Sequence, residues 1–551
     1  MYNNCTMTNL LVREVNSKSI SKVTTNAAAL VEALVELGVD SIFGYPGASI
    51  LSVYNELSLR ENVKHFLVRH EQAAVHAAEG YARIKGKPGI VVVTSGPGFT
   101  NTITGIANAY ADSTPLVVLA GDVPSNNNKG KVFQKVDILS LTKSCSKKNY
   151  LVTSKDDIKQ VIKEAYEVAN SGEKGPVVVA LPRNILEAKY SVKVTKSLHK
   201  KKIPTASEFD FKKTIKLMSA AKNPLVLLGG GALEAYDVVY KFIEKTGIPV
   251  VSTLMGVGAF PSASEKYLGM IGINGSFSAN TALNNADFIL ALGVSFSDRS
   301  TCKNENFAIN AKIVSVNIKK AQTNFELEVQ ADSAMFVHGL LARITEVSDY
   351  SSWQSNVKLL KEENTQKEFS KDCLQSSCVL ETLYELTKDK EPVVVTDVGQ
   401  HQMLTAQFFN FSKPKKFITS GGLGTMGFGL PAAVGAQLAN PRALVLNITG
   451  DGSFQMNLQE LATCREHNIP VKIIIMNNGY LGMVRQMQEK LYNNLYQVEM
   501  SNPDFTKIAE AYDLFAVRVN KPNELVSALQ QALNYPGTAI VDIAINSNEE
   551  I

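Results

Sequence analysis

Apolar residues recur along the chain in two alternating patterns. Over residues 30–37 they recur every three or four positions, which predicts a helix that ends at Gly38. Short continuous runs of apolar and β-branched residues predict buried strands between such helices, at 41–43, 89–94, 115–120 and 176–180. Because helices that alternate with apolar strands are typical of parallel sheets, the pattern predicts an α/β fold.

Two stretches interrupt this alternation and divide the chain into blocks. Residues 188–204 are basic and polar, and residues 346–374 are charged, rich in serine and short of apolar periodicity. We interpret both as linkers. The α/β blocks that remain are 23–187, 205–345 and 375–551. Segments 77–98 and 432–452 each contain a small-residue helix, a β-branched strand and a glycine loop, which indicates a duplicated domain or two unrelated βαβ units.

Composition excludes several classes of protein. Of 551 residues, 45% are hydrophobic and 20% charged, a globular balance, and the net charge of +4 is too small to indicate nucleic acid or membrane binding. No apolar run reaches the roughly 18 residues of a membrane span. Six scattered cysteines without a CxxC pair favour a reducing compartment, so we expect a cytoplasmic protein. Residues 1–22 are interpreted as a flexible extension, with an organelle transit peptide as the alternative.

The third block carries polar residues at the ends of two apolar runs. Residues 443–449 lead into Gly450-Asp451-Gly452, and residues 471–476 lead into Asn477-Asn478. A parallel crossover brings both strand ends to the same edge of a sheet. One carboxylate, one amide oxygen and two glycines that admit a diphosphate would suit Mg²⁺ bound together with phosphate. Asp-Gly and Asn-Asn are each common in turns, but the two motifs at neighbouring strand ends together indicate a binding site.

A dinucleotide site is the alternative interpretation of the same block. Residues 422–427 form a GxGxxG motif after the apolar run 417–420, and Asp451 follows the last glycine by 24 residues at the end of the next strand. This is the arrangement of a nicotinamide-dinucleotide fingerprint, with Asp451 on the ribose. It leaves Asn477-Asn478 without a role.

In the first block, Glu71 begins an alanine-rich helix in the segment RHEQAAVHAAEGYAR. It is either an acid favoured by the helix dipole or a carboxyl held among small apolar residues, able to hydrogen-bond to a ring nitrogen. The loop 95–98 (SGPG) is either a tight turn or an approach for a cofactor. His70 and His76 are six residues apart, so they do not form a zinc-protease pair.

Together these motifs resemble those of thiamine-diphosphate enzymes. The segments 396–403 (TDVGQHQM), 419–433 (TSGGLGTMGFGLPAA), 450–463 (GDGSFQMNLQELAT) and 480–486 (YLGMVRQ) are similar to acetohydroxyacid synthase catalytic subunits. The resemblance runs from about residue 24 to 519. It implies three doubly wound parallel-sheet domains, pyrimidine-binding, central and diphosphate-binding, in that order. It also implies active sites between the chains of a homodimer or a dimer of dimers.

The resemblance implies that thiamine diphosphate and Mg²⁺ bind in the third domain, which removes the dinucleotide interpretation. It assigns to the cofactor Gly399, Gln400, His401, Gly424, Met426, Gly450, Asp451, Gly452, Asn478 and Tyr480. Asp451, Asn478 and the backbone of Tyr480 would hold the metal. Glu71 from the partner chain would hydrogen-bond to the pyrimidine N1′ and promote loss of the C2 proton.

The implied activity is that of acetolactate synthase, the first common step of branched-chain amino acid biosynthesis. Pyruvate is decarboxylated and its two-carbon unit is joined to pyruvate or 2-ketobutyrate. Gln134 and the backbone N–H of Ala48 would stabilise the developing oxyanion. Phe133 and Lys147 would line the substrate entrance, and Arg299 would bind the acceptor carboxylate.

The family's central domain usually binds FAD as a structural cofactor. The matching residues are Gly230, Gly231, Leu254, Met255, Gly293 and Asp332. An arginine of the family's flavin site is Ser295 here, a histidine is Asn274 and an acid is Asn317. FAD remains the expectation.

Three further departures from the family pattern concern the substrate region. Ala48 replaces a glycine, so a positive φ there would carry strain. Met487 stands where the biosynthetic enzymes have a tryptophan that favours 2-ketobutyrate, which predicts a weaker preference for that acceptor. Lys131 and Lys135 replace two acids and are interpreted as a solvated face.

Two other functions stay open. One is a thiamine-diphosphate decarboxylase or carboligase with a different acceptor. The other is a catalytically silent paralogue that acts as a binding or assembly partner. With the leading interpretation, a regulatory small subunit is the expected protein partner.

Overall fold

The computed structural model describes residues 25–126, 131–192, 204–301, 307–320, 325–364 and 374–551. The described residues form three six-stranded parallel sheets with helices packed on them. The predicted extension at residues 1–22 and most of the predicted linker 188–204 lie outside the described residues.

The strands are β1 (Ser41–Tyr45), β2 (Lys64–Leu67), β3 (Gly89–Val93), β4 (Leu116–Asp122), β5 (Lys148–Leu151), β6 (Pro176–Pro182), β7 (Pro224–Leu228), β8 (Val250–Ser252), β9 (Tyr267–Met270), β10 (Phe288–Leu292), β11 (Lys312–Asn317), β12 (Leu327–Gln330), β13 (Val393–Thr396), β14 (Phe417–Ile418), β15 (Val445–Gly450), β16 (Lys472–Asn477), β17 (Phe515–Val519) and β18 (Ala539–Ala544).

The α-helices are α1 (Asn26–Glu36), α2 (Leu51–Leu57), α3 (Glu71–Lys85), α4 (Pro97–Thr100), α5 (Ile103–Ala111), α6 (Ile138–Thr142), α7 (Ile158–Asn170), α8 (Arg183–Glu187), α9 (Glu208–Ser219), α10 (Tyr236–Thr246), α11 (Phe277–Asn285), α12 (Asp298–Thr301), α13 (Ser333–Arg343), α14 (Ser351–Asn364), α15 (Ser376–Thr387), α16 (Gln400–Phe408), α17 (Gly429–Ala439), α18 (Asp451–Gln455), α19 (Leu461–Glu466), α20 (Gly482–Tyr492), α21 (Phe505–Ala511) and α22 (Leu525–Asn534). Short 3₁₀ turns occupy Gly230–Ala235, Leu254–Gly256, Lys388–Lys390, Leu458–Glu460 and Pro522–Glu524.

The central strands of each sheet are buried on both faces, which explains their continuous apolar runs. In β3, Ile90 and Val92 join one hydrophobic cluster while Val91 and Val93 join another on the opposite face. A parallel sheet covered by helices on both faces has this pattern. The α/β, doubly wound architecture predicted from the sequence is therefore confirmed.

The first and third sheets have the same topology. Their strand orders are β2-β1-β3-β4-β6-β5 and β14-β13-β15-β16-β18-β17, which match strand for strand, whereas the middle sheet runs β12-β11-β10-β7-β8-β9. The two similar sequence segments, 77–98 and 432–452, fall on α3–β3 and α17–β15, at equivalent places in the two sheets. The topology favours the duplicated-domain interpretation.

The first and third domains pack against each other through α3 and α17, whose small residues allow very close contact. A Cβ on Gly80 would lie 1.9 Å from the carbonyl oxygen of Ala432, and one on Gly435 would lie 1.8 Å from that of Ala77. Only glycine fits at either position. This contact sets the relative position of the loops that precede the two helices.

The stretch 346–374 is not entirely a linker, because α14 occupies part of it. Trp353 and Val357 of α14 are buried, and the indole N–H of Trp353 donates to the Pro224 carbonyl at 2.9 Å. These two residues and Leu360 share one helical face that packs on the middle domain. The linker interpretation therefore does not hold for α14, whose three buried or partly buried apolar residues have helical spacing in the sequence.

Within the described ranges, no helix combines the length and apolar character that crossing a membrane would require.

Candidate functional site

The two polar strand ends of the third domain meet at one edge of the sheet, as the sequence predicted. β15 and β16 are parallel neighbours, with Gly450 opposite Met476. Asp451 begins α18 directly after β15, and its Oδ2 accepts a hydrogen bond from the backbone N–H of Gly479 at 2.9 Å. The loops after the two strands are thus joined through the Asp451 carboxylate.

A cavity opens at this edge and is lined by most of the residues that the family resemblance assigns to the cofactor. The predicted residues in its wall are Gly399, Gln400, His401, Met426, Gly450, Asp451, Gly452, Asn478 and Tyr480. Gly424 is not part of the wall, but a Cβ there would be 3.9 Å from Val398, which lines the cavity.

Asp451 is a buried carboxylate that the surrounding amides hold in place. The Asn502 side-chain amide donates to Asp451 Oδ2 at 2.6 Å and also to Asn477 Oδ1 at 3.0 Å. Burial raises the pKa of the Asp451 carboxyl, while the hydrogen bonds from Asn502 and Gly479 act in the opposite direction. Asn502 was not identified from the sequence, since it lies on no motif.

The donor atoms around Asp451 suit a hard divalent cation bound together with phosphate. Asn478 Oδ1 accepts the backbone N–H of Tyr480 at 3.0 Å, so the amide oxygen and the Tyr480 backbone lie side by side. In the described part of the chain, no three His, Cys, Asp or Glu side chains cluster as a metal site would require. An ion here would need amide, carbonyl and ligand oxygens besides Asp451, which Mg²⁺ accepts when a diphosphate supplies the rest.

One polar atom in the cavity wall has no hydrogen-bond partner among the described residues. This atom, His401 Nε2, is buried. Burial lowers the pKa of His401 to about 3, so its imidazole is neutral at physiological pH. A buried polar group without a partner is costly, and a bound ligand oxygen would remove that cost. The wall therefore fits an anionic ligand such as a diphosphate.

The C-terminal segment forms part of the cavity, which the sequence did not reveal. The Glu549 carboxylate accepts the backbone N–H of Ser376 at 2.9 Å and so caps the start of α15. The backbone carbonyl of Glu549 accepts from the Gln400 side chain at 2.9 Å, and Arg485 donates to the Asn548 side chain at 3.1 Å. The last residues of the chain thus connect α15, α16 and α20 at the cavity.

The loop 94–98 of the first domain gathers the three residues predicted to be catalytic. A Cβ on Gly98 would lie 3.3 Å from Glu71 Oε1, and one on Gly96 would lie 2.8 Å from Gln134 Cβ. Gly47, next to Ala48, is in similarly close contact with Thr94. Glu71, Gln134 and Ala48 therefore form one group.

The backbone and side-chain geometry of this group is well defined. Asn101 donates to Glu71 Oε2 at 2.9 Å, so the carboxylate has a fixed orientation. Ala48 does not have a positive φ, so the backbone strain expected there is absent. Gln134 has φ of 58°, a conformation uncommon outside glycine and often found at functional sites.

Glu71 and Asp451 do not share a cavity within one chain. Among the residues the structure describes, the wall around Asp451 contains third-domain side chains and none from the group around Glu71. Each chain thus presents two separate groups of candidate residues.

A second cavity lies between the middle and third domains. Gly230, Leu254, Met255 and Arg299 line it together with Met403 and Gly421. Two of the family departures, Asn274 and Ser295, are in the same wall. A Cβ on Gly424 would lie 3.5 Å from a guanidinium nitrogen of Arg299, so Gly424 is close to one residue of each cavity wall, Val398 and Arg299.

The remaining predicted flavin residues, Gly231, Gly293 and Asp332, are not among the residues that line this cavity. Gly231 donates its backbone N–H to the Gly293 carbonyl at 3.1 Å, and Gly293 has a positive φ of 60°. Asp332 is the N-cap of α13 and accepts the backbone N–H of Met335 at 3.0 Å. Asn317 donates to the Val294 carbonyl at 3.0 Å.

Three predicted substrate residues are not gathered at either cavity. Phe133 is 84% exposed beside Gln134, and Met487 is 59% exposed on α20. Lys147 precedes β5 at the amino edge of the first sheet, opposite the loop 94–98, and its ammonium donates to the carbonyls of Val168 (2.5 Å) and Ser171. In this chain Lys147 closes the end of α7 and does not reach an entrance to the site.

Comparison with known protein families agrees with the geometry. Residues 24–141 match the N-terminal thiamine pyrophosphate (TPP) binding domain of thiamine pyrophosphate enzymes, residues 211–340 match their central domain, and residues 397–543 match their C-terminal TPP binding domain. The fold and the site therefore define a thiamine pyrophosphate (thiamine diphosphate) enzyme.

Individual relatives identify the family within this class of enzymes. The chain is 38% identical to the acetolactate synthase large subunit of Haemophilus influenzae, over 96% of each chain. It is 38% identical to the acetolactate synthase isozyme 3 large subunit of Escherichia coli, again over 96% of each. It is 40% identical to the chloroplastic acetolactate synthase of Arabidopsis thaliana, over 95% of this chain and 82% of the relative. The chain belongs to the acetolactate synthase family.

Proposed function

We propose that the chain is an acetolactate synthase catalytic subunit, which decarboxylates pyruvate and joins the two-carbon unit to pyruvate or 2-ketobutyrate. The observation that carries this function is the cavity around Asp451, whose wall contains nine of the residues that the family resemblance assigns to the cofactor. When bound there, thiamine diphosphate supplies the electron sink for loss of CO₂. The reaction begins branched-chain amino acid biosynthesis.

The residues of the cavity would divide the binding of the cofactor among them. Asp451, Asn478 and the Tyr480 carbonyl would hold Mg²⁺. The diphosphate would contact Gly450, Gly452, Gly399, Gln400 and the unpartnered His401 Nε2. Gly424 and Met426, on the loop before α17, would hold the pyrimidine ring.

A second copy of the chain would complete each site. The group around Glu71 lies outside the cavity of its own chain, so a Glu71 that reaches the cofactor belongs to the partner. Gln134 and the Ala48 backbone would stabilise the developing oxyanion from the same side, and Phe133 would lie at the entrance. We therefore propose a homodimer or a dimer of dimers.

The second cavity is the proposed FAD site. Gly230, Leu254 and Met255 form part of its wall, and Gly231, whose N–H donates to the Gly293 carbonyl, follows Gly230 directly. Arg299 lies in the same wall and would bind the acceptor carboxylate where the two cavities adjoin, at Gly424. Asp332 would contribute from the start of α13.

The relatives named as large subunits suggest a partner for this chain. We propose that it associates with a small regulatory subunit and acts in the cytoplasm. The alternative function, a decarboxylase or carboligase with another acceptor, is supported by the exposed Met487 in place of tryptophan.

The test is the yield of acetolactate from pyruvate by the purified chain with thiamine diphosphate and Mg²⁺, with and without FAD. Acetolactate that requires FAD supports both the activity and the flavin site, and acetolactate without flavin removes FAD from the proposal. Release of CO₂ without acetolactate would overturn the synthase activity in favour of the alternative. Glu71→Gln should abolish turnover in either case.

A further inference from the structure

A carboxylate of the third domain is buried against the backbone that leads into Glu71. Glu460 is 1% exposed, and its Oε1 accepts the backbone N–H groups of Arg69 at 2.8 Å and His70 at 3.1 Å. The next residue is Glu71, the first residue of α3. Glu460 lies 390 residues from His70 in sequence, so only the domain packing brings the two together.

The start of α3 does not need Glu460 as an ordinary helix cap. His70 is already the N-cap, and its side-chain Nδ1 accepts the backbone N–H of Gln72 at 3.2 Å. The two N–H groups that Glu460 binds precede the helix. Glu460 therefore holds the backbone just before the helix, and the N–H of Gln72 within the first turn is bound by His70.

Keeping an ionisable carboxyl at this depth is costly, which argues that its contacts are specific. Burial raises the pKa of Glu460, and hydrogen bonds from Thr463 and from the two backbone N–H groups lower it in part. Thr463 Oγ1 lies 2.6 Å from Glu460 Oε2 and 3.2 Å from the Leu67 carbonyl. A buried charge is retained only where several donors hold it.

A second contact between the same two segments lies at the surface. The Arg69 guanidinium is 2.6 Å from Glu466 Oε2, with side-chain exposures of 30% and 45%. An exposed ion pair of this kind contributes little. The chain thus offers a buried and an exposed carboxylate against one loop, which makes the second a matched control for the first.

We propose that Glu460 is a positioning residue for Glu71, acting through the backbone N–H groups of Arg69 and His70. This inference rests on the proposed function, which places Glu71 against the cofactor of the partner chain. Glu460 lies nine residues after Asp451 in the same chain. Each chain would therefore connect the metal loop of one active site to the Glu71 of the other.

The first experiment needs neither cofactor nor substrate. Amide hydrogen exchange of the full-length chain is compared for wild type, Glu460→Ala, Glu460→Gln and Glu466→Ala. Exchange at Arg69 and His70 should be at least ten-fold faster in Glu460→Ala and near wild type in the other two. Glutamine keeps an acceptor oxygen for both N–H groups, and Glu466 touches only the Arg69 side chain. Unchanged exchange in Glu460→Ala would overturn the proposal.

The second experiment separates positioning from general damage. With thiamine diphosphate and Mg²⁺, Glu460→Ala should lower kcat and the rate of C2 hydrogen exchange of bound cofactor about 100-fold, because a catalytic group displaced by about 1 Å costs this much. The dissociation constant of the cofactor should change less than three-fold. Glu460→Gln should restore both rates to within about three-fold. Equal losses in affinity and in kcat would contradict a role through Glu71.

If the alanine variant does not fold, Glu460→Asp replaces it in both experiments. It keeps the charge and withdraws the oxygens by one methylene, so a folded protein with reduced C2 exchange supports the proposal and wild-type exchange contradicts it. Since C2 exchange and amide exchange do not require acetolactate, failure of the proposed synthase activity would be recognised separately.

Discussion

Asn502 holds Asp451 through a single side-chain amide that donates to the carboxylate at 2.6 Å and to Asn477 Oδ1 at 3.0 Å. Asn477 in turn donates to Asp542 at 2.9 Å, and Arg518 pairs with the same carboxylate. The candidate metal ligand therefore ends a chain of oriented polar groups. Such contacts around a metal ligand fix its orientation and contribute to metal affinity.

Asn502→Ala should weaken Mg²⁺ binding in the presence of thiamine diphosphate by about 10- to 100-fold, because the Asp451 carboxylate loses its orienting donor. Titration calorimetry with Mg²⁺ measures the effect directly. Asn523→Ala, an exposed asparagine of the same domain, is the control and should bind Mg²⁺ as wild type does. Equal affinity in Asn502→Ala would mean that Asn502 does not orient the ligand.

Asp112→Ala should destabilise the loop before α17. Asp112 accepts the backbone N–H groups of Gly421 and Gly422 at 3.2 and 2.6 Å and pairs with Arg83 at 2.8 Å, with its side chain fully buried. Removing one partner of a buried pair costs about 3–5 kcal/mol of unfolding free energy. Urea denaturation measures it, and weaker thiamine diphosphate binding should accompany it.

The control for Asp112 is Glu187→Ala, which removes a pair with Arg183 whose side chains are about half exposed. Its expected cost is below about 1 kcal/mol. Similar decreases in unfolding free energy in the two variants would show that the buried ion pair is no more stabilising than the exposed one.

Gly80→Ala should disturb the packing of α3 on α17. The added methyl group would lie 1.9 Å from the Ala432 carbonyl oxygen, so one helix must move. Overpacking of this kind costs about 1–3 kcal/mol or more, and thermal unfolding should show it. Gly175→Ala is the control, since its nearest contact would be an ordinary 3.6 Å. An unchanged melting temperature in Gly80→Ala would contradict the observed helix contact.

Acid should destabilise the first domain through His65. Burial, with a contribution from His467, lowers the pKa of His65 to about 4. The unfolded chain, with an ordinary histidine pKa of about 6.5, then binds the proton more readily between these two values. The free energy of unfolding therefore falls as pH decreases through this window, by up to about 1.4 kcal/mol per pH unit for this group.

His65→Gln should remove the contribution of His65 to the slope and leave that of His401, because glutamine does not titrate and can still reach the Tyr54 hydroxyl, which is 3.0 Å from His65 Nε2. Denaturant unfolding from pH 7 to pH 4 measures the slope. His338→Gln, at an exposed position, is the control. If His65→Gln loses stability as steeply as wild type, the acid sensitivity has another origin.

Met487→Trp tests acceptor choice within the proposed function. A rigid aromatic ring should raise the ratio of 2-aceto-2-hydroxybutyrate to acetolactate several-fold when pyruvate and 2-ketobutyrate compete, because a flexible thioether fills space less specifically. Leu491→Trp, one turn further along α20 and 65% exposed, is the control. A ratio that responds equally to both substitutions would place acceptor choice elsewhere.

The architecture was largely predictable because the central strands of each sheet are short, apolar and buried on both faces. Runs such as Gly89–Val93 carry that signal locally, and the polar ends of β15 and β16 follow from chain order alone. The helix α14 was missed because most of its surface is polar and only three apolar residues face the middle domain. Lys147 was misplaced because a motif match does not give the direction of a long side chain.

Local patterns and short motifs were sufficient to predict the α/β class, the polar ends of β15 and β16, and the protein family. These depend on interactions over a few residues or on short motifs. Asn502 on Asp451, Glu549 at the start of α15, Asp112 on Gly422 and Glu460 on Arg69 depend on the packing of whole domains. Local periodicity does not predict any of these pairs. A hydrogen bond between such groups becomes strongly stabilising only when domain packing removes both groups from water and places them in contact.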